Sequence, residues 1–553
     1  MKETKLSTEE LQVIKENNGL SRYLSGLSEG KEATPRSSLY YLVGKTEVLE
    51  PDEILKRWQH VLSSLENGDS FDKNVFQFDS SQLSKWGPQG EVPPIEDILD
   101  EIVYPSFSAG EKMPAFKTAE WSEAKRRVIR HLHNAGCKGL SPVPYKRVVD
   151  DMRARDTLES NSGWPLFTRR NKPEVITQSI QAAENGLWKT YPAIALFRNY
   201  NRKTRLVWMF PMSANLVEGS FFQPLQSKLM RSHFSRGFLA PWNGFETVRA
   251  NITKRYAAEA PFQEFLAASD FSSTDAHFQL AASLEVSDVL EQCFQPRFRA
   301  RLRESIIHMH TIPLVISETR KIVGNHGVSS GSNWTNFVET IFDWILSYYV
   351  PMRLNASAFS RITRTTVDTD HIFVDPFSEK VHYARSNRYW PYFGLYAIGD
   401  DMTWFSRAYD PDFATLLEAI CKEVGQEVKA EKTTNDPDKV KSLQRLFQRG
   451  YLRPEDGQLR AVYSTVRALK SLVYPERFHN PKLWSKDMEA VRACMILENC
   501  IDHPLYREFV QFVAAGDPYL HEFALKSFGY QERAFRASKL IPGLNPTYNQ
   551  EKR

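Results

Sequence analysis

The sequence predicts an α+β fold, with strands in the middle of the chain and helices towards its C-terminal end. Three observations carry that expectation. Residues 262–270 (FQEFLAASD) are a short apolar run ending in an acid. Residues 391–406 (PYFGLYAIGDDMTWFS) are two apolar runs joined by Gly399-Asp400-Asp401, and a strand, a short Gly-containing turn and a second strand make a β-hairpin, here with acids at its tip. In the last hundred residues the segments near 481–500, 503–515 and 518–528 read as helices.

Residues 1–110 are polar and punctuated by Pro and Ser (ATPRSS, WGPQGEVPP), with one helix expected over 51–65, and read as an extension that wraps something else. A basic helix is expected over 119–133, whose Lys125, Arg126, Arg127 and Arg130 suit a solvated face. Within 333–350, Trp334, Val338, Ile341, Ile345 and Tyr348 recur at helical spacing, the pattern of an amphipathic helix. The loop ahead of it, Gly327-Val328-Ser329-Ser330-Gly331-Ser332, offers Ser332 as an N-cap. Segments 443–449 and 458–464 flank a Pro454-Glu455-Asp456-Gly457 turn and make a second hairpin. The tail 539–553 (KLIPGLNPTYNQEKR) is too polar to form a core.

Size and composition set bounds. The chain has 553 residues, 42% of them apolar and 25% charged, which excludes collagen-like, coiled-coil and wholly disordered classes. That length suits three or four structural units rather than one small binding module. Net charge is only +4, from 71 Lys and Arg against 67 Asp and Glu, so affinity for a polyanion must come from local clustering. Five scattered cysteines without a C-x-x-C pair point away from a disulfide framework or a thiolate zinc site, and towards a reducing compartment. The most apolar helix-like run, 337–350, carries Glu339 and Asp343, so no membrane-spanning segment is expected. The polar start lacks a signal or transit pattern, and a soluble, intracellular protein is the expectation.

The chemistry emerges from combining clusters that are weak alone. Asp270-x₄-Asp275 sets one carboxylate at a strand end and another past the following turn, and Gly399-Asp400-Asp401 sets two more at a hairpin tip. If those strands are neighbours, the acids meet at one sheet edge and cannot all stay ionised without cations. Hard divalent ions with oxygen ligands resolve that conflict, and Mg²⁺ accepts substrate phosphates as further ligands. A pair of such ions about 3.5–4 Å apart serves nucleotidyl transfer. Ser330-Gly331-x₃-Thr335-Asn336 supplies polar groups at a helix start, where Thr335 or Asn336 would orient Asp275 towards a ribose 2′-hydroxyl. The run from Arg198 to Arg205 holds four cations, Arg198, Arg202, Lys203 and Arg205, with Phe197, Tyr200 and Trp208 interleaved, which suits triphosphate capture and base stacking.

The order of a basic run, D-x₄-D, SG-x₃-T, GDD and a downstream lysine resembles the palm motifs of viral RNA-dependent RNA polymerases across residues 160–465. In that family's lettering, Asp270 to Asp275 resembles motif A, Ser330 to Asn336 motif B and Gly399-Asp400-Asp401 motif C. Ser160-Asn161-Ser162-Gly163-Trp164-Pro165 resembles motif G, and Arg205-Leu206-Val207 following Arg198 resembles motif F. The stretch 425–432 (GQEVKAEK) resembles motif D, and 443–449 (LQRLFQR) resembles motif E, the primer grip. The resemblance implies that Asp270 and Asp400 bind both metals, that Asp401 is a weaker or outer ligand, and that Phe271 lends a backbone carbonyl. It implies that Arg205, with Arg198 and Lys203, holds the incoming triphosphate, and that Asp275, Ser330, Thr335 and Asn336 contact the nucleotide. Gly163, Trp164, Pro165, Gly331, Leu446 and Arg449 are implied at template and primer RNA. For the acid that protonates pyrophosphate, Lys432 is preferred over Lys429 because its distance to motif E fits better. One departure stands out: many relatives carry Asn four residues after the motif B threonine, where this chain has Glu339. Either Asn336 takes over the ribose contact or Thr335 acts alone.

The implied architecture is a closed right hand: an extension over 1–110, fingers over 111–260 and 281–325, a palm with an antiparallel, RRM-like sheet over 261–280 and 326–465, and a helical thumb with the tail over 466–553. The tail is expected over or in the product exit or active-site cavity. Mg²⁺ is the implied cofactor, with Mn²⁺ as a substitute. Template and product RNA, NTPs and a viral capsid protein are the implied partners of a monomeric enzyme in the virion interior or host cytoplasm. The finer likeness is to the polymerases of picobirnaviruses, with partitivirus-like enzymes next, which implies replication and transcription of a segmented double-stranded RNA genome. Two other classes stay open. A reverse transcriptase usually has an aromatic residue before x-Asp-Asp, where this chain has Ile398-Gly399. A non-catalytic RNA-binding or capsid-associated protein is disfavoured by competent residues at every metal and triphosphate position.

Overall fold

The acid-ended runs are strands, and they pair with each other. The computed structural model describes residues 1–41, 48–107, 110, 113–272, 274–354, 391–477, 479, 482 and 484–541. Its strands are β1 (Lys2–Lys5), β2 (Ala193–Tyr200), β3 (Lys203–Met209), β4 (Phe265–Asp270), β5 (Leu314–Val315), β6 (Arg320–Val323), β7 (Phe393–Ile398), β8 (Asp401–Ser406), β9 (Thr434–Asp436), β10 (Lys439–Ser442), β11 (Arg445–Gln448) and β12 (Val462–Tyr463). The chain divides into two compact units. The first comprises Met1–Ser28, Ile95–Leu196 and Leu206–Ser442, the second Glu29–Pro94, Phe197–Arg205 and Leu443–Arg553.

The first unit is built on an antiparallel sheet of order β7-β8-β4-β9. Strand β4 pairs with β8 from Phe265 opposite Ser406 to Asp270 opposite Asp401. Its middle residues Leu266, Ala267, Ala268 and Ser269 are all buried, as an apolar run covered on both faces must be. The helix Trp334–Leu354 packs on β7 and against the helices Ala119–Asn134 and Leu280–Glu291. A Cβ on Gly394 of β7 would stand 2.5 Å from Ser347 Cβ and 2.7 Å from Met402 Cε, so only glycine lets helix and sheet approach this closely.

Two expectations are corrected here. The helix over 333–350 is not one-sided: every residue from Phe337 to Met352 is buried, Glu339 and Asp343 included, because sheet and helices enclose it on all sides. The basic helix Ala119–Asn134 is only partly a solvated face. Arg126 and Arg130 are exposed, but Arg127 is buried against Glu123 at 3.1 Å, and Lys125 lies 3.2 Å from Glu285 and 3.3 Å from Asp288.

A second sheet has the order β1-β6-β5-β2-β3, of which β1, β5, β6 and the ends of β2 and β3 up to Leu196 and from Leu206 belong to this unit. Its β1 is polar and its side chains are mostly exposed, so backbone pairing with β6, Lys2 opposite Val323 to Lys5 opposite Arg320, holds it rather than apolar burial. The helix Thr8–Glu16 starts at a capping box between Ser7 and Glu10, which satisfies two N-terminal amides reciprocally. With the helix Asn18–Glu29 it buries Ile14, Leu20 and Leu24 against Trp164, Ile194 and Val315. The first 110 residues thus hold more structure than the one helix expected, and they divide between the units.

The second unit carries the helices Pro51–Leu62, Ser70–Ser80, Thr465–Val473, Lys486–Glu498, Tyr506–Gly516, Tyr519–Ala524 and Phe528–Ser538, so the helical C-terminal expectation is met with two helices more, Thr465–Val473 and Phe528–Ser538. The expected second hairpin forms as β11 and β12, Arg445 opposite Tyr463 and Leu446 opposite Val462. Fully buried Asp79 ties this unit together. Its carboxylate accepts from Ser464 Oγ at 2.6 Å, Val466 N at 3.3 Å, Thr465 Oγ1 at 3.0 Å and His503 Nε2 at 2.6 Å. Thr465 Oγ1 in turn accepts from Trp58 Nε1 at 2.8 Å. The expected position of the tail falls on residues 542–553, which lie outside the described residues.

Asn in place of Asp79 keeps the shape but turns acceptor sites into a donor facing hydroxyls already donating. Asp79→Asn is expected to lower the stability of the second unit by roughly 2–3 kcal/mol, the scale of hydrogen bonds to a buried charged group. Urea unfolding followed by tryptophan fluorescence checks this through a lower midpoint.

Candidate active site

The site begins with register. Asp270, last in β4, lies directly opposite Asp401, first in β8, and opposed residues of an antiparallel pair sit about 4.5–5.5 Å apart at Cα. Asp400 occupies the two-residue turn between Ile398 and Asp401, with Gly399 at φ +54°, a conformation glycine adopts without strain. Carboxylates held about 4–5 Å apart repel by about 3–4 kcal/mol at an effective dielectric near 20. Asp401 shows the consequence: burial, then Asp400, then Asp270 push its carboxyl up to about 7.

The helix behind the turn deepens the acidity. Glu339 is raised well above the carboxylate range by burial, Asp400 and Asp275. Asp343 is raised in the same way by burial, Glu339, Asp400 and Asp401, and its Oδ2 is buried without a hydrogen-bond partner. Thr340 anchors the turn, its Oγ1 accepting from Gly399 N at 2.9 Å while donating to Asn336 O at 2.7 Å. Thr340 was not among the sequence candidates; a threonine in an apolar helix gives no signal until the turn it holds is in place.

The strand end and the turn supply oxygen donors: the carboxylates of Asp270, Asp400 and Asp401 and the carbonyl of Phe271, which accepts from Thr274 Oγ1 at 3.3 Å. Thr274 Oγ1 also lies 3.4 Å from Asp400 Oδ2. This hard, anionic set suits Mg²⁺ or Mn²⁺. Among the described residues no three His, Cys, Asp or Glu side chains form a ready-made cage.

The loop ahead of the helix is seated by close backbone contacts. A Cβ on Gly327 would fall 1.8 Å from Asp275 O, and one on Gly331 1.6 Å from Trp208 O, so both positions require glycine. Ser329 Oγ accepts from Trp208 N at 3.0 Å, and Thr335 Oγ1 donates to Ser329 O. Ser330 and Asn336 are exposed, and the Asn336 amide borders Gly399, 3.0 Å from where a Cβ would be, with Glu339 at 3.4 Å. Ser332 accepts from Trp334 N at 3.1 Å, the capping role expected of it, while donating to Glu218.

Glu218 and Asn215, on the helix Met212–Arg231, extend this seat. Glu218 Oε1 accepts from Asn333 N at 3.1 Å and from Asn215 Nδ2 at 2.8 Å. Asn215 Nδ2 also reaches Gly331 O at 3.1 Å, and Asn215 Oδ1 accepts from Arg170 at 2.8 Å. Arg170 Nε reaches Asn161 O at 3.0 Å, and Asn161 Oδ1 accepts from Gly163 N at 2.8 Å. A largely buried polar chain thus joins segment 160–165 to the Gly331 loop, with Asn215 and Glu218 fully buried at its centre. Burial pushes Glu218 up to about 7 and Arg170 down to about 10. Sequence reading missed both Asn215 and Glu218, whose partners lie far away along the chain. In the same segment Gly163 and Trp164 are buried, Trp164 among the apolar residues of the N-terminal helices, which leaves Pro165 as the half-exposed member.

Downstream, Val428 pairs with Phe271 in an antiparallel bridge and Ser272 N donates to Glu427 O at 2.8 Å. Lys429 follows that bridge, its Nζ 3.8 Å from Glu427 Oε1, while β9 pairs with β4, Ala268 opposite Thr434, two residues beyond Lys432. Lys432 closes the 3₁₀ turn Ala430–Lys432 and is exposed.

The remaining candidates belong to the second unit. Asn201 and Arg202 have φ of +53° and +60°, the two-residue turn that sets Arg198 opposite Arg205 across the hairpin. Gln89 holds this tip, its carbonyl accepting from Arg202 N at 2.9 Å and its Oε1 from Asn201 N at 3.0 Å, and Arg202 donates to Trp86 O at 3.3 Å. Arg198, Lys203 and Arg205 are exposed and have no ion pair among the described residues. Leu446 is buried with Leu62, Leu65, Val75, Phe78, Val462 and Val466, so its side chain serves the core rather than a surface for RNA; Arg449 is half-buried.

Residues 200–511 match the model of the viral RNA-dependent RNA polymerase family. Over 520 residues the chain is 24% identical to a potential RNA-dependent RNA polymerase of human picobirnavirus (strain Human/Thailand/Hy005102/-), covering 91% of this chain and 85% of that one. The fold is similar to the crystal structure of the RNA-dependent RNA polymerase of a human picobirnavirus, with a TM-score of 0.74 at 21% identity, covering 97% of this chain and 95% of that one. The insertion-loop deletion mutant of such a polymerase gives a TM-score of 0.73 at 21% identity, over 97% and 99% of the two chains.

The raised Asp401 carboxyl carries a sign. The native state without metal keeps a proton that the unfolded chain releases above about pH 4, so this contribution to stability is full below that value and is lost as pH rises through about 7. Thermal melts in EDTA should show Tm falling from about pH 5 to about pH 8, with Asp401→Asn flattening the slope. Millimolar Mg²⁺ should raise Tm more at the alkaline end.

Proposed function

The chain belongs to the family of viral RNA-dependent RNA polymerases and is an RNA-dependent RNA polymerase; on that footing we propose that it joins NTPs to an RNA 3′-hydroxyl at the Asp270–Asp401 edge by two-metal nucleotidyl transfer. The observation that carries this is the register that sets Asp270 opposite Asp401 with Asp400 in the adjoining turn. Asp270 and Asp400 would hold both ions, with Asp401 and the Phe271 carbonyl as further ligands. Bound there, divalent ions supply charge stabilisation for the attacking and leaving oxygens.

The chain's own residues do the rest. Arg198, Lys203 and Arg205, exposed and without carboxylate partners among the described residues, are assigned to the triphosphate, and planar guanidinium groups suit phosphate oxygens. Asn336 and Ser330 are assigned to the ribose. The Asn336 amide borders the Gly399 turn and stands in for the asparagine that Glu339 replaces, while the Thr335 hydroxyl is engaged by Ser329. The general acid is assigned to Lys429, one residue past the Val428–Phe271 bridge, with Lys432, at the end of the 3₁₀ turn that leads into β9, as the alternative. Fingers, palm and thumb are assigned as the sequence suggests. So are Mg²⁺ as the working ion, a capsid protein as partner, the virion interior and host cytoplasm as location, and a segmented double-stranded RNA genome as the object of replication and transcription.

Asp400→Asn is expected to cut nucleotide incorporation on an RNA template at least about 100-fold, the scale of losing a preorganised charge-stabilising group, with melting temperature and RNA affinity kept. Near-normal incorporation by the folded variant overturns the two-metal assignment. Lys429→Leu should lower kcat by about 100-fold or more with little change in KM for NTP, and Lys432→Leu should cost far less. The reverse order returns the general acid to Lys432.

A further inference from the structure

The first unit carries a surface on which basic residues occupy positions that elementary electrostatics disfavours. The helices Tyr145–Ala154 and Pro296–Thr311 begin side by side. Gln295, just before the second, donates through Nε2 to Gly139 O at 3.3 Å and Ser141 Oγ at 3.1 Å, and its amide donates to Leu140 O at 3.0 Å. Arg301 donates to the Tyr145 hydroxyl and lies over its ring, 5.8 Å from the centroid. Neither helix has an acid in its first turn or a side-chain cap. The first turns hold Lys146 and Arg147 in one helix and Arg297 in the other, with Arg301 one turn further on the same face as Arg297 and Lys138 just ahead of the Gly139 contact. All five are exposed.

Cations at a helix N-terminus face its positive end, which disfavours them. Nearby basic residues are neutralised: Arg303 by Asp288 and Glu291, Lys189 by Glu304, Arg153 by Asp150 and Arg155 by Asp151. Lys138, Lys146, Arg147, Arg297 and Arg301 have no ion pair among the described residues. Exposed Glu184 is the carboxylate whose field reaches the Tyr145 hydroxyl. Arg297 also lies over the Phe298 ring, 4.7 Å from the centroid, an arrangement that leaves the guanidinium edge open.

We propose that this surface docks RNA through its phosphodiester backbone, outside the residues assigned to catalysis, template and nucleotide. Two helix N-termini and five unpaired cations present one continuous positive face, and a polyanion is the partner that turns each disfavoured position into a favourable one. The chain's small net charge places no such demand on the rest of its surface. The inference rests on the polymerase reading for its choice of RNA over other polyanions.

The test uses the full chain carrying Lys146→Gln, Arg147→Gln, Arg297→Gln and Arg301→Gln. Because Arg301 touches Tyr145, a second variant carries only Lys138→Gln, Lys146→Gln and Arg147→Gln. Fluorescence anisotropy with a labelled unstructured single-stranded RNA and with a duplex of equal length gives affinity against salt. The four-site variant should bind at least about tenfold more weakly near 0.15 M salt, and its slope of log Kd against log salt should fall by about 2–3, at ~0.7 per phosphate contact for single strands. The three-site variant should move the same way by a smaller step. Extension of a short, saturating primer–template should match the unsubstituted chain. Unchanged affinity and slope in both variants overturn the proposal, and so does unchanged RNA affinity with lost binding of poly-glutamate, which assigns the surface to an acidic protein segment. Weakened RNA binding by the variants of a chain that never extends a primer would keep the surface and remove the polymerase reading.

Discussion

The repulsion between Asp270 and Asp401 is the constraint around which the first unit is arranged. Strand pairing sets the two opposite each other, and a tight turn adds Asp400 beside them. A strand end bearing these acids is unfavourable by itself. The fold makes it more so by burying Glu339 and Asp343 on the helix behind, where both stand above the ordinary carboxylate range. Protons relieve that charge at low pH, and divalent cations, the ions proposed for this edge, would relieve it at neutral pH.

Rigidity around the edge comes from backbone contacts more than from side chains. Gly327 and Gly331 let the loop before the helix lie on Asp275 and Trp208 at distances that exclude a Cβ. Thr340 fixes the Gly399 turn from the helix side. The Asn215–Glu218 chain then connects the Gly331 loop to segment 160–165 through Arg170. These hydrogen bonds make one framework of the loop and that segment.

What was legible in the sequence follows from how local each signal is. The β7–β8 hairpin, the strand ending at Asp270 and the second hairpin around Pro454–Gly457 rest on periodicity and turn chemistry within a few residues, and all form. The motif order pointed to the acidic strand edge before any pairing was known. Long-range partners left no such trace. Polar β1 is a strand because β6 accepts it, and Asn215 and Glu218 look like ordinary helix residues until Gly331 and Asn333 arrive. Trp164 and Leu446, read as RNA contacts by resemblance, are core side chains. Glu339 and Asp343 interrupted an apolar stripe that suggested a solvated side, whereas the helix is enclosed and its acids face the Asp400 turn.

The most direct examination of the metal edge is anomalous diffraction from crystals of the chain soaked with Mn²⁺, a primer–template and a non-hydrolysable NTP. Two peaks about 3.5–4 Å apart, bounded by Asp270 and Asp400 with Asp401 alongside, are the expected result. Peaks elsewhere, or none at this edge with the triphosphate bound, contradict it.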